Sequence, residues 1–329
     1  MSDRPYFSIL IPACNMAGKM DECIASLKGQ TFTDFEAIFV DDGSTDNTCE
    51  ELEKLVSEDS RIRLYKHDEN RSLQSARYTA MQHAKGDLIV FLDSDDHLSF
   101  DALESIAESM KEDPVDVLRF GYVIDPEGSE HFPPASDDPL KSILEGSIPP
   151  GIWKNAYNRR VIDKAIKCIK PFYCNMGEDS FYAGVFFSCA ETFGTLDKIL
   201  YHYMVIGDGM SNTKADIPRE KVERNLKSVA ASGDNLLTFM KEYYPGNVPL
   251  TETMARTMKR FLMLQNTVYE PDYVKIIDRF SVFDREGTRD IYEWGCRKYL
   301  PFLIEQRLKA DSADPAEEER LYRKLLTED

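Results

Sequence analysis

The chain has 329 residues, enough for one large domain with an attached module or for two domains. Its apolar fraction of 42% and charged fraction of 30% are ordinary for a globular protein, but its net charge of -18 excludes the basic face of a nucleic-acid binder. So acidic a chain also repels phosphorylated ligands, unless a metal or a few placed Arg and Lys residues mediate their binding.

The first hundred residues alternate between two textures. Phe7 to Pro12, "FSILIP", reads as a short strand, and Met20, Cys23, Ile24 and Leu27 then repeat at helical spacing. "FEAIFVDDGS" is a second strand ending in two acids, and Thr45 to Ser57 is a helix with Leu52, Leu55 and Val56 on its apolar face. "RIRLYKH" is a third strand, followed by a helix that turns Leu73, Ala76, Ala80 and Met81 inward. "GDLIVFLDSDD" is a fourth, with five apolar residues leading into Asp93, Asp95 and Asp96. This alternation predicts an α/β fold, a mainly parallel sheet flanked by helices.

A helix is expected after Asp96 through about Lys111, then a strand at "DVLRFGYVI". Residues 125–151 hold six Pro and little pattern, and read as a loop. Order resumes at "GIWKNAYNRRVID"; a helix starts near Glu178, and "TFGTLDKILYHYMV" is a strand or hairpin at a sheet edge. From about Pro218 helical spacing dominates, as at Met254, Met258, Phe261 and Leu262, and the tail from Asp311 is charged.

The seven cysteines, Cys14, Cys23, Cys49, Cys168, Cys174, Cys189 and Cys296, are scattered and form no C-x-x-C pair. They read as reduced thiols in a cytoplasmic protein without a zinc site. The N-terminal apolar run is too short and too early for a signal peptide, and no apolar stretch approaches the ~20 residues that span a bilayer. Contact with the inner face of a membrane would be peripheral.

In parallel sheets ligands bind at the carboxyl ends of the strands. Acids converge there at Asp41-Asp42 and at Asp93-Ser94-Asp95-Asp96. A D-x-D pair suits a divalent cation, which binds through one or two carboxylates plus substrate phosphates. A solvated turn would leave the same letters, and Asp96 reads as the start of the next helix. Asp42 suits hydrogen bonding to a base edge or ribose. Arg77 is either a surface residue, a partner of Asp42, or a group facing a nucleotide. Glu178 and Asp179 follow Gly177 at a helix start, where the helix dipole favours acids. A carboxylate there is also a natural general base for a sugar hydroxyl. His202, between two Tyr, is either a packed residue or a further metal ligand.

"FSILIPACN", "LKGQTFTDFEAIFVDDGSTD", "SARYTAMQHAKGDLIVFLDSDD" and then "GED" strongly resemble family 2 glycosyltransferases of the GT-A fold. The likeness is dense over residues 7 to about 100 and thinner from about 150 to 212. It implies inverting transfer of a sugar from a nucleotide-diphosphate donor, commonly UDP-linked, with Mn2+ or Mg2+ as cofactor. By position it implies nucleotide-sugar contacts at Pro12, Ala13, Asn15, Asp42, Arg77, Asp93 and Ser94. It gives the metal and ribose role to Asp93 and Asp95, with Asp95 in direct metal contact, and the base role to Asp179, supported by Glu178; His202 as a further metal ligand rests on the residues alone. Three positions depart from the family's habit: Cys14 stands where an aromatic is usual, Arg71-Ser72-Leu73 where Gly is frequent, and Tyr78 where Asn follows the helix Arg.

The expected organisation is a GT-A domain over 1–215 and a helical C-terminal region over 216–329. Within the domain, 1–100 forms the nucleotide-sugar half and 101–215 the acceptor half, with the loop 125–151. The acceptor is expected to be a saccharide or glycolipid of cell-surface polysaccharide or glycoconjugate synthesis. Its specificity is expected in the loop and the C-terminal region, the least family-like parts. The competing readings are a non-catalytic sugar-nucleotide-binding homologue and a phosphohydrolase with an Asp nucleophile. Phosphohydrolases of that kind usually place D-x-D on the first strand, whereas here it ends the fourth.

Overall fold

The computed structural model describes residues 4–205, 219–255 and 258. The chain divides into two units, one of residues 1–212 with 231–254 and one of 213–230 with 255–329. Described residues of the second unit are the first turns of the last long helix, Ala255 and Met258. Phe261, Leu262, Cys296 and the tail from Asp311 lie outside the described residues, as does most of the region 216–329.

The first unit holds a nine-stranded mixed sheet. Its first half is β1 (Phe7–Ala13), α1 (Asp21–Lys28), β2 (Phe35–Asp42), α2 (Thr48–Glu58), β3 (Ile62–His67), α3 (Leu73–His83) and β4 (Leu88–Phe91). β1, β2 and β4 are buried along their whole length, as parallel strands covered on both faces must be. The apolar faces foreseen for α1 and α2 are buried at Met20, Cys23, Leu27, Leu52 and Leu55. α2 starts three residues later than its pattern suggests. Asp46 accepts from both the N–H (3.0 Å) and the hydroxyl (2.5 Å) of Thr48, which holds the preceding residues in a loop.

The second half is β5 (His97–Leu98), α4 (Ala102–Glu112), β6 (Val117–Asp125), β7 (Ser129–His131), α5 (Pro139–Leu144), β8 (Asn155–Asn158), α6 (Arg159–Cys168), α7 (Glu178–Cys189) and β9 (Phe193–Met204). The strand order is β3-β2-β1-β4-β8-β6-β9-β5, with β7 on β6. β1 to β4 are parallel; β8 runs antiparallel to both β4 and β6, and β9 runs parallel to β6. β9 is not the edge its position suggested, because the two-residue β5 pairs outside it. The segment 125–151 is not featureless either. It forms β7 and α5, whose N-terminus is capped by Asp138 accepting from Lys141 N–H at 2.9 Å.

α8 (Arg219–Tyr243) enters the first unit from Ala231 onward. There Leu236, Phe239 and Met240 are buried. Leu236 fills the space above Gly184 of α7, where an added Cβ would come within 2.6 Å of it. Ser232 donates to the carbonyl of Gly177 at 2.6 Å, next to the start of α7.

Asp116 locks β6 to the turn before β9. Its buried carboxylate accepts from the N–H groups of Glu191 (2.8 Å) and Thr192 (3.2 Å) and from Arg160. Burial pushes this carboxyl up, but Arg160 and the two backbone donors outweigh it and hold it below its ordinary value. A folded pKa below the unfolded one gives stability that is complete above about pH 4 and lost as pH falls through the folded value. Asp116→Ala should therefore cost about 1–3 kcal/mol at neutral pH, because the N–H groups of Glu191 and Thr192 and the Arg160 guanidinium lose their buried acceptor. Urea unfolding would show it as a lower midpoint at unchanged slope, with the deficit shrinking in acid. Equal midpoints at neutral pH would refute it.

Candidate active site

The acids of the fourth strand end meet those of α7 around one arginine. Arg77 lies on the buried face of α3 and is 1% exposed. Its Nη2 donates to Asp93 Oδ1 at 2.7 Å, and its Nη1 donates to Asp179 Oδ1 at 2.8 Å and Glu178 Oε1 at 3.0 Å. The sequence left open a pairing of Arg77 with Asp42; the structure gives it these three carboxylates instead. Burial disfavours the guanidinium charge, but Asp93, Asp179 and Glu178 together raise its pKa well above its ordinary value.

Local structure aims each group. Gly177 adopts φ +85°, a left-handed turn that a side chain would strain, and it sets Glu178 and Asp179 into the first turn of α7. The start of α3 is pinned by the segment just before α7. Leu73 N–H donates to Asn175 Oδ1 at 2.8 Å, Gln74 N–H to the Cys174 carbonyl at 3.1 Å, and Tyr182 Oη to the Gln74 carbonyl at 2.8 Å.

Asp42 is buried, and its carboxylate is already engaged. It accepts from His67 Nδ1 (2.6 Å), Arg71 N–H (2.8 Å) and Ser72 N–H (2.9 Å). These bonds hold Ser72 at φ +91°, an unusual angle for a residue with a side chain. Asn15 likewise has φ +55°, and its Oδ1 accepts from Thr45 N–H at 2.8 Å, tying the end of β1 to the loop after β2. Pro12 and Ala13 are buried in β1, and Ser94 is buried between Asp93 and Asp95.

Asp95 is half-buried, and burial together with Asp93 pushes its carboxyl up to about 6. Asp96 does not start a helix, as expected from its place after the strand; α4 begins at Ala102. Asp96 is buried and accepts from Tyr201 Oη at 2.5 Å and Met204 N–H at 2.7 Å, anchoring β9. Burial raises both Glu178 and Asp179, Asp179 adds to the rise of Glu178, and Arg77 opposes it in both. The acids at this edge outnumber Arg77 and Lys154, the cations that couple to Asp179. That surplus of negative charge, with Asp95 half open, fits a hard divalent cation.

His202 is engaged elsewhere. Its Nδ1 faces Asp125 Oδ2 at 2.9 Å, its Nε2 faces Ser99 Oγ at 3.2 Å, and its ring stacks on His97 with centroids 4.3 Å apart. His97, Asp125 and His202 bring ligand atoms within 4.8 Å of one another. The sequence reading missed Lys154 and Arg119. The available signal for Arg119 was one charge inside the apolar strand "VLRFGYV", and for Lys154 a charge beside Trp153 at the entry to β8.

Removing Arg77 strands three acids. Arg77→Met should cost about 3–5 kcal/mol, the range for breaking a buried pair. Arg77→Lys should recover little, because one ammonium cannot reproduce a fork that reaches three carboxylates. Thermal and urea unfolding of both variants measure this; a Lys variant as stable as the wild type would refute the fork.

Comparison with known proteins was consistent with this architecture. Over 211 residues the chain is 30% identical to the glycosyltransferase EpsJ of Bacillus subtilis, covering 60% of this chain and 61% of EpsJ. Over 100 residues it is 43% identical to the chondroitin synthase of Pasteurella multocida, covering 30% of this chain and 10% of the synthase. It thus spans less than two thirds of either relative. Among solved structures, Staphylococcus aureus TarS 1–349 with UDP-GlcNAc superposes at TM-score 0.57 and 18% identity, covering 83% of each chain. The mannosyltransferase PcManGT of Pyrobaculum calidifontis, with GDP-Man and Mn2+, superposes at TM-score 0.50 and 17% identity, covering 89% of this chain and 80% of that one. These likenesses establish a GT-A type fold. Residues 8–176 match the family described as Glycosyl transferase family 2, and the chain belongs to that family.

Proposed function

We propose that the chain moves a sugar, with inversion, from a nucleotide-diphosphate donor, UDP-linked, to a hydroxyl of a saccharide or glycolipid acceptor in cell-surface polysaccharide or glycoconjugate synthesis. The observation that carries this reading is the Arg77 fork, which holds Asp179 and Asp93 at one edge of the sheet. Support also comes from the neighbours of like fold, one crystallised with UDP-GlcNAc and one with GDP-Man and Mn2+. We assign a transferase domain to 1–215, with a donor half over 1–100 and an acceptor half over 101–215, followed by a helical C-terminal region over 216–329, of which 231–254 packs within the first unit. Among the described residues no helix is long and apolar enough to cross a membrane. Free thiols and an acidic chain suit a cytoplasmic site, with any contact at the inner membrane face peripheral.

Asp179 is the base in this reading. Its side chain is 27% exposed against 9% for Glu178, so an acceptor hydroxyl can reach it more readily. Arg77 occupies Asp179 Oδ1, and Oδ2 takes no hydrogen bond from the described residues. Oδ2 is then the atom that accepts the hydroxyl proton as the hydroxyl attacks. Glu178 keeps Arg77 in place from the buried side. Asp93 and Ser94 lie beside the donor, and Asp42 shapes the nucleotide cradle through the loop it holds rather than through free oxygens. Asp95 would hold Mn2+ or Mg2+, which supplies Lewis-acid neutralisation of charge on the departing diphosphate. His202 would have to leave Asp125 and Ser99 to join it.

A panel of nucleotide sugars with Mn2+, scored for slow donor hydrolysis and for binding, tests the activity. No binding or turnover with any donor would sink it. Asp179→Asn should keep donor binding and lose about 10²–10⁴ in transfer rate, the usual worth of a positioned base. Undiminished transfer would show that the base lies elsewhere. Asp95→Asn should abolish metal-dependent donor binding. Asp96→Asn should instead lower thermal stability, because Tyr201 and Met204 lean on its carboxylate; equal losses of donor binding in both variants would contradict this division.

A further inference from the structure

A second charged feature lies in the acceptor half, and nothing above uses it. A cavity of about 120 Å3 is lined by Arg119, Tyr122, His131, Phe132, Lys154 and Asn155 together with three prolines. Arg119 comes from β6 and is 4% exposed. Among the described residues, no carboxylate pairs with it and none pairs with Lys154, in a chain of net charge -18. Burial pulls the Arg119 guanidinium below its ordinary value. Burial also pulls the Lys154 ammonium down to about 8; Asp179 works against that shift and Arg119 with it. Two cations that repel each other, with no carboxylate in ion-pair contact and only Asp179 acting on Lys154 from farther off, are costly to bury. A protein keeps such a pair where a ligand supplies the anion.

The surroundings indicate what carries that anion. Lys154 Nζ lies 5.6 Å from the Tyr122 ring centroid and 5.8 Å from that of Trp153. His131 stacks on Tyr122 at 4.7 Å, and Phe132 is 49% exposed at the rim. Aromatic faces beside polar groups suit the apolar faces of sugar rings. Register places the cavity next to the reactive edge. β8 runs antiparallel to β4, so Lys154, just before β8, falls on the side where Asp93 follows β4. Arg119 pairs with Asn155 across β6 and β8 and reaches the same side. Lys154 and Asp179 each shift the other's pKa, which couples the cavity to the base.

We propose that the Arg119–Lys154 cavity is an acceptor subsite that takes an oxyanion, a carboxylate or a phosphate ester, borne by the acceptor glycan next to the hydroxyl presented to Asp179. This rests on the transferase reading and names its acceptor class. Arg119 supplies the fixed fork and Lys154 the movable charge, while Tyr122, His131 and Phe132 line the wall that meets the sugar ring.

The test is calorimetric binding to the full chain, with nucleotide and Mn2+ present, of three probes. These are a glucuronate-terminated oligosaccharide, a glycerol-phosphate oligomer, and a neutral N-acetylglucosamine oligomer of like length. One or other anionic probe should bind about tenfold or more tightly than the neutral one, and the tighter of the two identifies the source of the oxyanion. Converting the glucuronate to its methyl ester removes the charge without touching the protein, so a preference for that probe should vanish on esterification. Lys154→Gln should lose the preference and Lys154→Arg should retain it, with thermal midpoints recorded to show that both fold. Equal binding of neutral and anionic probes, or a preference that survives Lys154→Gln, overturns the proposal. If the wild type still hydrolyses a nucleotide sugar in that case, the transferase reading stands alone. If it neither binds nor hydrolyses any nucleotide sugar, both readings fall.

Discussion

The site depends on one buried guanidinium. Three carboxylates from two distant stretches of chain converge on Arg77, and without it they would repel one another in a poorly solvated edge. Its fork turns that repulsion into an attachment between α3, the end of β4 and the start of α7. The attachment holds only if α3 sits at one depth and one rotation. The backbone bonds from Leu73 and Gln74 to the segment before α7 fix that position. One network therefore sets both the packing of the two halves and the mutual placing of the acids.

The same network explains the uneven charge. Arg77 is shared by three acids, so each is only partly compensated, and Asp95 has no cation among its hydrogen-bond partners in the described residues. The negative surplus suits a divalent cation. On the other side of Asp179 the balance reverses, since among the described residues Arg119 and Lys154 have no carboxylate in ion-pair contact and only Asp179 acts on Lys154. In a chain of net charge -18, the described residues bury two arginines, Arg77 among three acids and Arg119 in the wall of the cavity. The rest of its acidic surface discourages anions from binding elsewhere.

The alternation of strands and helices was legible because the helical period of 3.6 is local and β1, β2 and β4, buried on both faces, read as continuous apolar runs. The convergence of Asp93 and Asp179 was foreseeable only by resemblance. The partner of Arg77 was not legible at all, because its contacts lie 16, 101 and 102 residues away and leave no periodic trace. Asp96 was misread for a related reason. An acid after a strand reads as a helix cap, and only the fold reveals Tyr201 and Met204 above it. Asp42 looked free to meet a base because its donors, His67 at the end of β3 and the N–H groups of Arg71 and Ser72 in the turn that follows, lie 25 to 30 residues away. Short elements such as β7 and α5 are too brief to show a period, so the loop at 125–151 seemed emptier than it is.

The antiparallel β8 has a consequence that reaches beyond local packing. In a wholly parallel sheet each strand begins at the edge opposite the ligand, so a residue preceding a strand lies far from the reacting atoms. β8 reverses that relation: its start lies level with the end of β4, as the pairing of Val90 with Ala156 shows. Lys154 therefore reaches the reactive edge from the entrance of a strand, and β6, antiparallel to β8, carries Arg119 to the same level from mid-strand. A single reversal thus brings cations of the second half beside acids of the first. Acids and cations then face one another across one sheet, and the segment 125–151, with β7 and α5, supplies His131, Phe132 and three prolines to the cavity wall from outside the strands that carry the acids.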